Sequence, residues 1–166
     1  MILTVALALA QAPQKQVLFK GTIQGLDVHL GMPSPGIGLL GTSGTGIGTL
    51  FGQFSFDQKS TVNLANGTLT GSGHWIAANG DSIDTTVVGS PVPVSMAPCQ
   101  VVGAQPEDSY AKVTEIHTMT GGTGRFAGVQ GGFTLTLYHD VVPRSDGTNG
   151  TCGSYSGTIT PPGAAH

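Results

Sequence analysis

The residues with the most chemical promise sit two apart in one alternating run. Glu115 and His117 share a face with Val113 and Met119, while Thr114, Ile116 and Thr118 share the other. On a strand, side chains two apart lie on the same side and can act on one bound molecule. If the Val113 and Met119 face is the buried one, a carboxyl group and an imidazole enter an apolar interior together. Burial raises a carboxyl's pKa toward neutrality and suits it to donate or take a proton. Such a pair could hold an enol or enolate and guide an internal cyclisation or isomerisation. If the threonine face is inward, both side chains are in water, as most Glu and His are. The alternation alone does not choose.

Other candidates follow from the same period of two. Phe133, Leu135, Leu137 and His139 alternate with Thr134, Thr136, Tyr138 and Asp140. The apolar set should face inward, bringing His139 to one end of the interior. Leu69, Gly71, Gly73 and Trp75 share a face, so Trp75 is expected inside and His74 outside. Trp75, Phe133, Leu135, Leu137 and His139 are therefore the expected ligand contacts, and Glu115 and His117 the expected catalytic pair. For each the plainer alternative is core packing, or for His139 a place on the rim. No metal site is expected: the two cysteines are far apart, with no Cys-x-x-Cys and no paired-His spacing. No Gly-x-Ser-x-Gly elbow supports a hydrolase. Gly44-Thr45-Gly46-Ile47-Gly48 lacks the Lys-Ser/Thr and the following helix that a phosphate loop needs.

These residues need strands to position them. The chain has 166 residues, 9% charged and 39% hydrophobic, with 27 glycines and 10 prolines. Soluble domains carry roughly 25% charge, yet the Val, Ile, Phe and Thr content is that of short strands and turns, not of disorder. A formal charge of −3 and six scattered Lys and Arg leave no basic footprint for nucleic acid. Alternation places eight strands at 16–30, 49–57, 59–65, 67–78, 82–89, 110–120, 132–142 and 154–160. Ala78-Asn79-Gly80-Asp81 suits a type I′ hairpin. Asn66-Gly67-Thr68 and Asn149-Gly150-Thr151 match a glycosylation acceptor but read more simply as turns. Residues 31–48 read as a long Gly- and Pro-rich loop, either a lid over a barrel mouth or a surface loop. No window supports an amphipathic helix of useful length. Eight hairpin-linked strands favour an all-β fold: one eight-stranded antiparallel closed barrel, with no exposed edges.

The stretch from Thr118 to Phe133 joins two of the strands and carries Gly121, Gly122, Gly124, Phe126, Gly128 and Gly131. Phe126 reads as a plug anchoring the turn. This Gly-Gly-x-Gly-x-Phe-x-Gly-x-x-Gly pattern resembles the motif of allene oxide cyclases and plant dirigent proteins, and of bacterial proteins called allene-oxide-cyclase-barrel-like. The resemblance implies a lipocalin-related barrel with an apolar interior, a small hydrophobic ligand or substrate, no metal or organic cofactor, and a homo-oligomer such as the trimers of the plant relatives. The motif is architectural and carries over no catalytic residue.

Ile2 to Ala10 is an apolar run of the length of a signal-peptide centre, followed by small-x-small pairs at Ala8 to Ala12. Too short to span a membrane, it is read with residues 1–12 as a secretory signal, atypical or starting upstream because no Lys or Arg follows Met1. Residues 13–166 are read as one domain, secreted or periplasmic, without membrane insertion after cleavage. In that setting Cys99 and Cys152 could bridge two loops. A second function class stays open: a structural or interaction protein with a filled barrel, whose loops meet a partner.

Overall fold

The computed structural model describes residues 15–105 and 109–161. The expected signal segment lies outside the described residues. Eight antiparallel strands close into a barrel in chain order: β1 (Val17–Ser34), β2 (Ile37–Gly48), β3 (Gly52–Asn63), β4 (Leu69–Ala77), β5 (Ser82–Val94), β6 (Tyr110–Gly122), β7 (Gln130–Asp140) and β8 (Thr148–Thr160). β8 closes on β1 with Val17 opposite Ile159 and Val28 opposite Thr148. The expected fold class is the observed one.

The count of eight hides two corrections. Residues 31–48 are neither loop nor lid. Ile37–Gly48 is β2, a full wall strand paired along its length with β1 and β3. Its glycines look like loop punctuation in sequence, but in the barrel they make room. A Cβ at Gly44 would collide with Phe56 and the β1 backbone, and one at Gly48 with the Tyr155 hydroxyl. The expected strands at 49–57 and 59–65 are instead one strand, β3, in which Phe54, Phe56, Gln58 and Ser60 all face inward. The polar pair at its centre imitates a turn because those side chains point inward, where Gln58 hydrogen-bonds to Ser60 and Glu115.

Three smaller corrections concern turns. Among the described non-glycine residues only Leu50 has positive φ, so Asn79 does not form a type I′ turn. Gly80 N–H donates to the Ala77 carbonyl at 2.8 Å and has φ 88°, the geometry of a three-residue hairpin with a glycine bulge. Asn149 and Gly150 lie in β8, where Asn149 is buried, not in a turn. Cys152 likewise belongs to β8 and not to a loop. Asn66-Gly67 is a turn as expected, with Gly67 at φ 71° and the Asn66 side chain accepting from the Thr68 N–H.

The two ends of the barrel differ. At one end the turn at Leu50, with φ 67°, swings Phe51 inward. A single 3-10 turn, Gly124–Phe126, brings in Phe126. The two rings meet at 4.9 Å and cap the lumen. The glycine pattern explains itself here: Gly124, Gly128 and Gly131 all take positive φ, which a side chain disfavours. Below the cap, Phe19, Phe54, Phe56, Trp75, Phe133 and Tyr155 form one continuous network of ring contacts. The opposite end carries the β1–β2, β3–β4, β5–β6 and β7–β8 connections and a polar lining.

Candidate functional site

β6 resolves its ambiguity inward. Val113, Glu115, His117 and Met119 are all buried, and Glu115 and His117 keep 1% and 0% of their surface. Desolvating two such polar side chains is costly unless their atoms are paired, and they are paired. Glu115 Oε1 accepts from Gln58 Nε2 on β3 at 2.9 Å. Its Oε2 lies 3.1 Å from His117 Nε2. His117 Nδ1 reaches Thr85 Oγ1 on β5 at 3.1 Å, and the Thr85 hydroxyl in turn donates to the Gly73 carbonyl on β4 at 3.4 Å. Gln58 Nε2 also lies 3.2 Å from Ser60 Oγ. This belt crosses the lumen from β3 to β4 by way of β6. On its capped side the His117 ring stacks on Phe133 at 4.4 Å and meets Trp75 edge-on at 5.5 Å.

On the open side lies a pocket of about 280 Å³. Leu40, Val62, Leu69, Pro91 and Val113 supply its apolar wall; Asp27, His29, His139, Asp140 and Asn149 supply polar groups. Ligand pockets commonly start near 300 Å³ and combine apolar walls with a few polar groups, so this one suits a small molecule. A larger hollow of about 870 Å³ is lined by residues of β1 to β4 together with Cys99, Cys152 and Gly153, but no free titratable group lines it. The chemistry is therefore sought inside.

His139 Nδ1 is hydrogen-bonded to Asp27 Oδ2 across the mouth. Burial by itself would lower the His139 pKa. The Asp27 carboxylate, through its charge and the hydrogen bond, together with the more distant Glu115, outweighs burial and holds it above the ordinary histidine value. A raised folded-state pKa means that the protonated pair stabilises the fold fully below about pH 6.5, the unfolded value. That contribution is lost as pH rises through the folded pKa. The urea midpoint of the wild type should accordingly fall over this range relative to that of His139→Gln. Parallel pH profiles for the two proteins would contradict the pairing.

Three buried oxygens near this pair have no hydrogen-bond partner: Asp27 Oδ1, Asn149 Oδ1 and Thr151 Oγ1. A buried polar atom left unpaired costs about 1–3 kcal/mol, so this end of the lumen stores polarity that the fold does not use. Trp75 Nε1 and the Tyr155 hydroxyl are also unpaired, deep in the aromatic half. Burial pushes the Tyr155 phenol well above its usual range.

The residues anticipated as ligand contacts separate. Trp75, Phe133, Leu135 and Leu137 are buried core side chains that do not line the pocket, Leu137 lying level with Val113 between the belt and the mouth, while His139 borders the pocket. Glu115 is not on the pocket wall. It sits behind Leu69, beside which its methylene approaches Gly89. Asp27, Gln58, Asn149 and Thr151 were not anticipated, although period two reaches all of them. Val17, Phe19 and Ile23 continue by steps of two to Asp27, and Tyr155 runs back by steps of two to Thr151 and Asn149. The disulfide between Cys99 and Cys152 is present and ties the β5–β6 connection to β8. Among the described residues no group of His, Cys, Asp and Glu is arranged to hold a metal, and no helix is long and apolar enough to cross a membrane.

No protein-family model and no curated protein matches the sequence. Among solved structures, the chain is similar to that of a pterocarpan synthase dirigent protein, with 10% identity, TM-score 0.47, and coverage of 93% of this chain and 99% of that one.

Proposed function

We propose that this barrel binds a small, mainly apolar molecule at its open end and acts outside the cytosol. What carries the binding reading is the pocket itself: apolar side chains from five strands surround a His–Asp pair and unpaired buried oxygens. The export reading is supported by the apolar run at Ile2 to Ala10 and by the disulfide, which persists in oxidising compartments. A ligand that binds only the folded state raises stability by mass action, by about 2.7 kcal/mol at one hundred times Kd. A panel of small hydrophobic probes should therefore raise the melting temperature of the purified protein. A panel that leaves it unmoved removes the reading.

The finer version makes the protein a cofactor-independent cyclase or isomerase, in line with the family that the glycine pattern resembles. Glu115 and His117 would then be its acid–base pair, and Trp75, Phe133, Leu135 and Leu137 would shape the reacting molecule. In support, the two groups are hydrogen-bonded to one another in an apolar interior. The version requires the substrate to displace side chains of the pocket wall, since neither Glu115 nor His117 lines it. A second reading, a structural or interaction barrel, is favoured by the aromatic half, where rings fill the lumen. Probes that raise the melting temperature decide between them.

A further inference from the structure

We propose that His139, oriented by Asp27, is a general base facing the open-end pocket, and that it shifts a proton within a small, apolar carbonyl compound bound there. The proposal rests on the binding reading and places the chemistry at the mouth, apart from Glu115 and His117. Three histidines are bonded to carboxylates among the described residues, and they differ in what the ring can reach. His74 Nδ1 lies 2.6 Å from Asp84 Oδ1 on the outer wall, with 45% of its side chain exposed, and it borders neither hollow described above. His117 is sealed, with both ring nitrogens engaged, Nε2 by Glu115 and Nδ1 by Thr85. His139 gives Nδ1 to Asp27 Oδ2 and borders the pocket. Its side chain keeps 13% exposure. Its Nε2 has no hydrogen-bond partner among the described residues and, unlike Asp27 Oδ1, is not sealed from solvent.

A carboxylate on Nδ1 fixes the proton there in the neutral ring and leaves the Nε2 lone pair open. It also offsets the imidazolium charge once Nε2 has taken a proton. Asp27 is thus a positioning residue, and His139 is the group that meets the substrate. An imidazole removes only an acidified proton, which sets the substrate class: a C–H next to a carbonyl. Nε2 takes that proton, the C–H electron pair moves into the carbonyl as an enolate, and the imidazolium returns a proton to a carbon farther along. A double bond shifts, and no oxidant, reductant or cofactor is consumed. The pocket volume of about 280 Å³ equals that of about nine waters, room for one six-membered ring. Burial alone would lower the His139 pKa, and Asp27 holds it above the ordinary value. The other titratable groups around the ring are His29 on β1, the more distant Glu115 on β6 and Asp140 on β7. Among the described residues no Lys or Arg lines the pocket.

The test is the isomerisation of 3-cyclohexenone to 2-cyclohexenone by the full chain, followed by the absorbance of the conjugated product. Wild type should convert it about tenfold faster than His139→Gln, below the roughly 10²–10⁴ that a positioned base gives its own substrate. His74→Gln should leave the rate unchanged. The wild-type rate should rise with pH, because the base is the neutral ring. In Asp27→Asn the midpoint of that rise should move to lower pH, since burial then acts without the carboxylate's charge; a merely structural role for Asp27 would not move it. An equal rate in wild type and His139→Gln overturns the proposal, as does loss of the rate in Glu115→Gln with its retention in His139→Gln. If the variants do not fold, the wild type decides: a rate no greater than that of free imidazole at equal concentration overturns the proposal. A ketone that raises the melting temperature but is not isomerised overturns the base and leaves the binding reading standing. A ketone that neither binds nor reacts overturns the proposal alone where the probe panel binds, and both where the panel fails.

Discussion

Glu115→Ala lowers the unfolding free energy by about 4 kcal/mol, whereas Glu115→Gln costs about 1 kcal/mol. The alanine variant loses in two ways. It leaves a void in a close-packed lumen, next to Leu69 and the inner face of Gly89. It also strips Gln58 Nε2 and His117 Nε2 of partners at 2.9 and 3.1 Å in a place water does not reach. Glutamine keeps the volume and an oxygen for one of the two neighbours. Urea denaturation of the three proteins measures both losses; equal losses for alanine and glutamine would show that the belt is not what holds Glu115 in place. The same pair of variants bears on catalysis. If Glu115 transfers a proton, Glu115→Gln abolishes turnover of a substrate while probe affinity at the mouth is unchanged, because the carboxylate is not on the pocket wall. If the belt is only a rib across the lumen, Glu115→Gln leaves turnover as it was.

That division between rib and site was partly legible in the sequence. Alternation is a local property, and it correctly put Trp75 inside, His74 outside and His139 at one end. It fails where inward residues are polar. Gln58 and Ser60 broke the apolar pattern of β3, so one strand read as two, and the partner that Glu115 needs went unnoticed. Asn149 and Thr151 met the same fate in β8, as did the glycines of β2, whose missing side chains give the aromatic rings their space. The face of β6 was undecidable for a related reason. Val113 and Met119 are as apolar on one side as Ile116 is on the other, and only the cross-lumen partners on β3 and β5 settle which side turns in. A barrel lined with greasy side chains throughout would have been easy to read. This one is greasy at the capped end and polar at the open end, and its function is sought where the pattern breaks.

Removing the disulfide produces a loss of similar size by a different route. Cys99 and Cys152 are 53 positions apart, and opening a loop of that length returns entropy to the unfolded chain worth about 4 kcal/mol. The native state should change little at first. β8 is held along its whole length by β1 and β7, and the β5–β6 connection keeps Val101 buried and the Val141 N–H bonded to the Ser109 carbonyl at 3.0 Å. Cys99→Ser with Cys152→Ser should therefore retain a wild-type far-UV spectrum yet unfold at markedly lower urea. With a total stability of the order of 5–15 kcal/mol for a domain, that loss is large enough to make folding in a reducing compartment marginal, which is the expected link between the bridge and the proposed export. A double variant within about 1 kcal/mol of the wild type would show that the connection is held by its own packing. The tie between bridge and export would then be gone.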